Sequence, residues 1–91
     1  MFLWDKFNRR KVRAHGIEPE EVEQVLLNNA LAIYDQYDED ELRFLYYGES
    51  SSGRLLAVVI THRDDAIRVV TAYPLDASQK REYLMRRLMG E

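Results

Sequence analysis

The spacing of apolar residues changes near residue 30, and this change constrains the fold more than any other feature of the chain. Before it, Val22, Val25 and Leu26 recur at i, i+3 and i+4, the spacing that places side chains on one face of a helix. After it, apolar and polar residues alternate with a period of two, which is typical of strands. Helical signals return after Asp76. We therefore expect helices first, then a sheet, then one more helix.

Capping residues predict where the first two helices begin and end. Asp5 is suited to cap a basic helix over residues 6–14, because its carboxylate can accept hydrogen bonds from the free amides of the first turn. Gly16 can adopt the positive φ that ends such a helix. Pro19 fits the first turn of a second helix, which fades near residues 28–29.

Short polar segments separate the predicted strands. Ser51-Ser52 and Asp64-Asp65 are predicted as two-residue turns, which join antiparallel neighbours. Residues 54–62 are apolar on both faces, so we expect them to form the central strand. Residues 35–40 are predicted to be a polar loop. The predicted strands cover residues 30–34, 42–48, 54–62 and 67–73.

These elements predict a single α+β domain over residues 1–91. It has two N-terminal helices, an antiparallel meander of three to four strands, and a C-terminal helix over residues 77–88, with the helices on one face of the sheet. Phe2 and Trp4 flank an alternating start, which is suited either to a short extra strand or to an apolar lid. The residues of the last helix expected to face the core are Tyr83, Leu84 and Leu88.

Composition excludes several classes of function. The chain has no cysteine, which excludes disulfide scaffolds, thiolate zinc sites and cysteine nucleophiles. It has two histidines and no phosphate-binding or dinucleotide-binding glycine loop, so we expect no metal and no cofactor. Its longest apolar run is far below the roughly 20 residues of a membrane span. No basic leader precedes an apolar stretch, so we expect a cytoplasmic protein without membrane association.

Charge is distributed unevenly along the chain, whose net charge is −3. Residues 1–15 carry five bases and one acid, whereas residues 16–42 carry nine acids and no base. The basic segments are suited to a polyanion, and the acidic segment would repel one. The alternative interpretation is that these charges lie on solvated faces of helices and loops.

Basic and phenolic side chains on the predicted sheet are the remaining candidates for chemistry. Two-residue turns fix a register between the strands. The predicted cross-strand partners are Ile60 for Arg43, Leu56 for both Tyr47 and Tyr73, and Thr61 for Arg68. This register predicts two groups that each share a face, namely Arg43, Tyr47, His62 and Tyr73 on one face, and Arg63 and Arg68 on the other.

Such side chains have the chemistry to cleave RNA without a metal. A base must remove the proton of the 2′-hydroxyl, cations must stabilise charge on the phosphate, and an acid must protonate the leaving oxygen. Arginine suits the phosphate, and histidine or tyrosine suits the proton transfers. His15, at the end of the first helix, is a further candidate. The structural alternative is that the helix dipole stabilises His15 and that His62 simply ends a strand beside a turn. The tyrosines would then be half-buried in the sheet, and the arginines would pair with acids.

Several short motifs are spread along nearly the whole chain. They are Phe2-Leu3-Trp4-Asp5, His15-Gly16-Ile17 before Glu20-Glu21, Arg43-Phe44 before Gly48, Gly53-Arg54-Leu55-Leu56-Ala57-Val58-Val59, the bases Arg63 and Arg68, and Tyr83. Together these motifs resemble the BrnT family of bacterial type II toxins, small proteins with a RelE-like fold. The sequence departs from the family at Tyr73, because Thr71-Ala72-Tyr73-Pro74 stands where the family commonly reads Ser-Ala-Arg. Its pI near 5.4 is a second departure.

The resemblance implies a toxin that arrests translation as a metal-independent endoribonuclease. It implies RNA as the substrate, free or on the ribosome, and a cognate ribbon-helix-helix antitoxin as the partner. On this hypothesis the phosphate is held by Arg43, Arg63 and Arg68, and protons are moved by His15, His62 or Tyr73. A second hypothesis keeps the RelE-like fold without catalysis, so that the basic surface binds an acidic partner segment. A third hypothesis is a self-associating domain, such as a homodimer.

Overall fold

A computed structural model describes residues 1–90 and confirms the α+β class. The helices are α1 (Lys6–Ala14), α2 (Pro19–Leu27) and α3 (Ala77–Leu88), and the strands are β1 (Phe2–Leu3), β2 (Leu31–Asp38), β3 (Glu41–Glu49), β4 (Leu55–Arg63) and β5 (Ala66–Pro74). The strands form one sheet in the order β1-β5-β4-β3-β2. In the described part of the chain, no helix combines the length and apolar character that a bilayer span requires.

The predicted helices begin and end where the structure has them, but the sheet is larger than predicted. Asp5 caps α1 by accepting hydrogen bonds from the backbone amides of Phe7 and Asn8. The predicted loop over residues 35–40 is wrong, because β2 continues to Asp38 and leaves a two-residue turn. β1 pairs in parallel with β5, so the sheet has five strands and is mixed.

The helices cover both faces of the sheet, so the prediction that they share one face is wrong. On β4, Leu56 and Val58 join the core under α1 and α2, together with Val12 of α1. Ala57, between them, joins a second core with Tyr83 of α3 on the opposite face. Because β4 is apolar on both faces, both faces need a cover, and α3 supplies the second one.

The outward face of α3 differs from the sequence prediction. Tyr83 is buried, as predicted, but Leu84 is 53% and Leu88 is 83% exposed. Gln79 and Arg86 are half-buried and lie with Tyr83 toward the sheet. Since successive helical residues are about 100° apart, this orientation turns Leu84 and Leu88 toward solvent.

The β3–β4 turn shifts the predicted register by one residue. The turn contains Gly53 as a third residue, with a φ of +87° that glycine adopts without strain. Phe44, instead of Arg43, therefore pairs with Ile60, and Tyr47 pairs with Ala57 in place of Leu56. The shift brings Arg43 level with Thr61.

A β-bulge shifts the register again within the β4–β5 pair. The predicted pairing of Thr61 with Arg68 is confirmed. The bulge then adds a residue to β5, because Ile60 pairs with Val69 and the preceding residue of β4 pairs with Thr71. Tyr73 consequently pairs with Ala57 and not with Leu56. The extra residue also brings Tyr73 and Arg68 to the same face of the sheet.

The buried side chain of Asn8 fastens α1 to the edge of the sheet. Its amide nitrogen donates hydrogen bonds to the carbonyl oxygens of Leu3, at 3.0 Å, and Val69, at 3.1 Å. Its side-chain oxygen accepts a hydrogen bond from the backbone amide of Asp5 at 2.8 Å. One side chain therefore connects β1, α1 and β5.

We expect Asn8→Ala to lower the free energy of unfolding by about 2–4 kcal/mol, because it leaves buried backbone groups without partners. Urea unfolding followed by circular dichroism measures this change. Arg9→Ala, at an exposed neighbouring position on the same helix, is the control and should stay within about 0.5 kcal/mol of the parent chain. A stable Asn8→Ala variant would show that α1 is held in place by apolar packing alone.

Candidate functional site

A cationic cleft of about 450 Å³ lies between α1 and the sheet. It forms because β1 pairs only with Ile67 and Arg68, and α1 then packs along the rest of the β5 edge. Four of its eight lining residues are bases and none is an acid. The lining residues are Phe7, Asn8, Arg10, Lys11, Ala14, Arg43, Arg68 and Val70.

Arg43 and Arg68 meet in this cleft because of the shift in the β3–β4 register. The three-residue β3–β4 turn brings Arg43 level with Thr61, and Thr61 pairs with Arg68 on its other side. Side chains level with one another on adjacent strands lie on the same face of a sheet. The hydroxyl of Thr61 donates to the carbonyl oxygen of Leu42 at 2.9 Å, which ties β4 to β3 at this level.

Arg43 is held by two carboxylates at the rim of the cleft. Its Nη1 lies 2.6 Å from Asp38 Oδ2, and its Nε lies 3.0 Å from Glu41 Oε1. Arg63 Nη2 approaches the second oxygen of Glu41 at 3.6 Å. The hydrogen bond from Arg43 and the charge of Arg43, followed by the hydrogen bond from Arg63, hold the pKa of Glu41 below its usual value. The acids orient Arg43 and compensate part of its charge.

Arg68 differs from Arg43 in having no carboxylate within ion-pair distance among residues 1–90. Its charge acts on Asp5, the cap of α1. The pKa of Asp5 is lowered chiefly by the hydrogen bond from the Asn8 amide, with a smaller contribution from Arg68. Arg68 therefore retains most of its capacity to bind an anion in the cleft.

His15 and Tyr73 lie together at the end of α1, beside the cleft. Their ring centroids are 6.3 Å apart and the rings are tilted by 59°. His15 follows Ala14, which forms part of the cleft wall. Burial, and then the neighbouring Tyr34, raise the pKa of the Tyr73 phenol above its ordinary value. Tyr73 therefore keeps its proton at neutral pH and can act as a proton donor.

A second cleft, of about 310 Å³, adjoins the first and shares Arg43 with it. Its wall combines the exposed ring of Tyr34, the amide of Gln36, the carboxylate of Asp38 and the apolar side chains of Phe44, Leu45 and Val59. An aromatic ring, an amide and an arginine are the groups that stack on a base, read its edge and hold its phosphate.

The structure brings most of the sequence-predicted site residues to one side of the sheet, but not all of them. Arg43, Arg68 and Tyr73 share the face covered by α3, so the prediction that Arg68 lies opposite Arg43 is wrong. Arg63 shares a face with Arg68, as predicted, and reaches the site through Glu41. His62 lies on the other face, with its ring against Phe44 at 5.2 Å, so its predicted grouping with Arg43 is wrong.

Sequence reasoning did not place Arg10, Lys11 or Tyr34 in the site. The positive charge of residues 1–15 was a signal, but helix periodicity alone does not show which neighbour a helix packs against. The contact between α1 and β5 depends on the short length of β1 and on the hydrogen bond from Asn8 to Val69.

The fold and this site define a class of small α+β proteins with a cationic cleft suited to a polyanion. Residues 4–79 match the family described as "Ribonuclease toxin, BrnT, of type II toxin-antitoxin system", and the chain belongs to this family. No curated protein sequence matches the chain at a significant level. Membership confirms the resemblance seen in the sequence, and it implies a ribonuclease toxin that has an antitoxin partner.

We expect Asp38→Asn combined with Glu41→Gln to tighten RNA binding by about 3–10-fold, because both changes remove acids that compete with phosphate for Arg43. Fluorescence anisotropy with a short 2′-O-methyl RNA, which cannot be cleaved, measures the affinity. The control is Glu20→Gln with Glu49→Gln, which makes the same change in net charge at exposed positions away from the cleft. An equal gain in the control would show that only net charge matters.

Proposed function

We propose that this chain is an endoribonuclease toxin that cleaves RNA without a metal and thereby arrests translation. The observation that carries the proposal is the cleft in which Arg10 and Lys11 of α1 face Arg43 and Arg68 of the sheet. Four cations around one cavity, with no acid in its wall, suit successive phosphates of a nucleic acid backbone. Membership in a family of ribonuclease toxins supports the same substrate class.

Single-stranded RNA is the form of substrate that the two clefts suit best. An unpaired nucleotide can present its phosphate to Arg43 while its base lies against Tyr34 and Gln36 in the adjoining cleft. Bases within a duplex are stacked and cannot be received in this way. The substrate is therefore an unpaired stretch of RNA, free or on the ribosome.

The chemistry follows from the groups beside the cleft. His15 removes the proton of a 2′-hydroxyl, and the 2′-oxygen attacks the adjacent phosphorus as the bond to the 5′-oxygen breaks. Arg43 and Arg68 stabilise the negative charge that develops on the phosphate oxygens. Tyr73 donates its proton to the departing 5′-oxygen. The products are a 2′,3′-cyclic phosphate and a 5′-hydroxyl.

Three of the candidate residues have different roles in this proposal. Tyr73, which stands in place of an arginine, supplies a proton and not a charge. Arg63 is a positioning residue, because it contacts Glu41 and Glu41 contacts Arg43. His62 has no part in the reaction, since it packs on Phe44 on the opposite face of the sheet.

The proposal includes the partner that the family resemblance implies. A ribbon-helix-helix antitoxin neutralises the toxin in the cytoplasm and represses their shared operon. The support for an antitoxin is membership in a type II system. The ribbon-helix-helix type is part of our proposal.

We expect the purified protein to cleave RNA, with or without translating ribosomes, and to leave 2′,3′-cyclic phosphate ends in the presence of a chelator. Arg43→Ala with Arg68→Ala should slow cleavage at least about 100-fold, because both phosphate contacts are lost. Lys80→Ala with Arg81→Ala removes the same charge from exposed positions on α3 and should leave the rate unchanged.

The outcomes of this experiment separate the hypotheses. Cleavage that stops with chelator contradicts metal independence. A folded protein that cleaves RNA in neither setting contradicts the catalytic proposal, and the second hypothesis, a RelE-like domain that binds a partner without catalysis, then stands in its place.

The role of Tyr73 has a separate test. Tyr73→Phe should slow cleavage of ordinary RNA by about 100-fold, because the 5′-oxygen must then leave without a proton. An RNA with sulfur in place of that 5′-oxygen needs no proton on its leaving group, so its cleavage should be almost unaffected. His15→Ala is the comparison, and it should slow cleavage of both substrates. Equal slowing of both substrates by Tyr73→Phe would contradict the proton-donor role.

A further inference from the structure

The outer face of α3 carries an apolar stripe that contacts neither core of the protein. Its members are 53%, 57%, 83% and 74% exposed, in chain order. We call these residues the α3 stripe: Leu84, Met85, Leu88 and Met89. With Arg81 they follow the i, i+3, i+4, i+7 spacing of one helix face.

Folding does not account for the α3 stripe. Tyr83 is the buried residue by which α3 joins the core, and it lies on the other side of the helix. Contiguous exposed apolar surface is uncommon on a protein that works alone, and it marks surfaces that are covered by a partner. The exposure of the stripe is therefore best explained by a partner that binds to it.

The RNA site does not account for the stripe either. The residues that line the cationic cleft come from α1, β3 and β5, and none comes from α3. The family match ends at residue 79, before the stripe begins. The stripe thus lies outside both the cleft and the residues that match the family.

We infer that the α3 stripe binds an amphipathic, acidic helix of the antitoxin. An antitoxin is the protein partner that membership in a type II system implies, and the inference depends on this membership and not on the catalytic proposal. A helix with apolar residues at i, i+3, i+4 and i+7 can pack against the stripe as one helix packs in a groove of another protein.

Charge around the stripe favours an acidic partner. Lys80 and Arg81 are exposed at its start, and neither pairs with a carboxylate of residues 1–90. Glu82 is the one acid of α3, and it is occupied by Arg86 at 3.6 Å. Acidic residues beside the apolar face of the partner helix would complement this surface.

The same charges disfavour a second copy of this chain as the occupant. Lys80 and Arg81 are the exposed charges beside the stripe, whereas Arg86 lies toward the sheet and pairs with Glu82. A twofold interface presents the same surface from both copies, so each copy would contribute Lys80 and Arg81, and no unpaired acid of α3 would stand opposite them. An acidic helix meets no such repulsion.

The test is binding of this chain, residues 1–91, to the antitoxin encoded in the same operon. Leu84→Gln with Leu88→Gln keeps good helix formers at exposed positions, so the fold should be unchanged by circular dichroism. We expect the dissociation constant to rise about 100-fold, since two central apolar anchors are lost. RNA cleavage by the free toxin should stay at the level of the parent chain.

One control variant and one charge-reversal variant make the test specific. Tyr37→Gln changes an exposed aromatic residue of β2, away from α3, and should leave antitoxin binding unchanged. Lys80→Glu with Arg81→Glu should weaken binding about 10-fold, and should reduce its dependence on salt concentration, because the complementary charges are reversed.

Three outcomes would overturn the inference. The first is a Leu84, Leu88 variant that binds the antitoxin as tightly as the parent chain. The second is a parent chain whose sedimentation shows a dimer that the variant lacks, with antitoxin binding unaffected; a second copy would then cover the stripe. The third is an equal loss in the Tyr37→Gln control. Absence of RNA cleavage would contradict only the catalytic proposal, because antitoxin binding is measured separately.

Discussion

The burial of β4 on both faces is the constraint on which the rest of the structure depends. Leu56 and Val58 point to one side and Ala57 to the other, and all three have no exposed surface. A strand of this kind is stable only if it has neighbours on both edges and covers on both faces. β3 and β5 supply the edges, α1 and α2 cover one face, and α3 covers part of the other.

The partial cover on the second face is what creates the site. α3 packs on the sheet through a core that contains Tyr83, Leu75 and Tyr47. It does not cover the part of the sheet that carries Arg43 and Arg68, which line the cleft. α1 closes the side of this open area because Asn8 fixes it to β5. The hydrogen bonds of Asn8 that stabilise α1 therefore also set the position of Lys11 in the wall of the cleft.

On the face covered by α1 and α2, one helix packs unusually close to the sheet. Gly48 of β3 lies under α2, where a Cβ atom would come within 2.8 Å of Val25 Cγ1. A larger residue would push α2 away from the sheet. The residue is part of the motif that resembles the BrnT family, and its role here is to let a helix approach a strand.

The sequence by itself determined the elements, because capping and periodicity are local. Asp5, Gly16 and Pro19 mark helix ends that the structure reproduces, and the doubly apolar β4 was identified as the central strand. Short motifs were also enough to indicate the family to which the chain belongs. The prediction of three to four strands missed the full extent of the sheet, since β1 exists only through its pairing with β5.

Only the tertiary structure decided which side chains share the site. The turn at Gly53 contains one additional residue, and the bulge of β5 contains another. Each reverses the face on which the following side chains lie. Neither additional residue changes the apolar pattern enough to be predicted from the sequence. The turn brought Arg43 to the face of Arg68 and separated it from His62, and the bulge brought Tyr73 to the same face. The orientation of α3, and with it the exposure of Leu88, likewise depends on packing against the sheet, which local sequence does not specify.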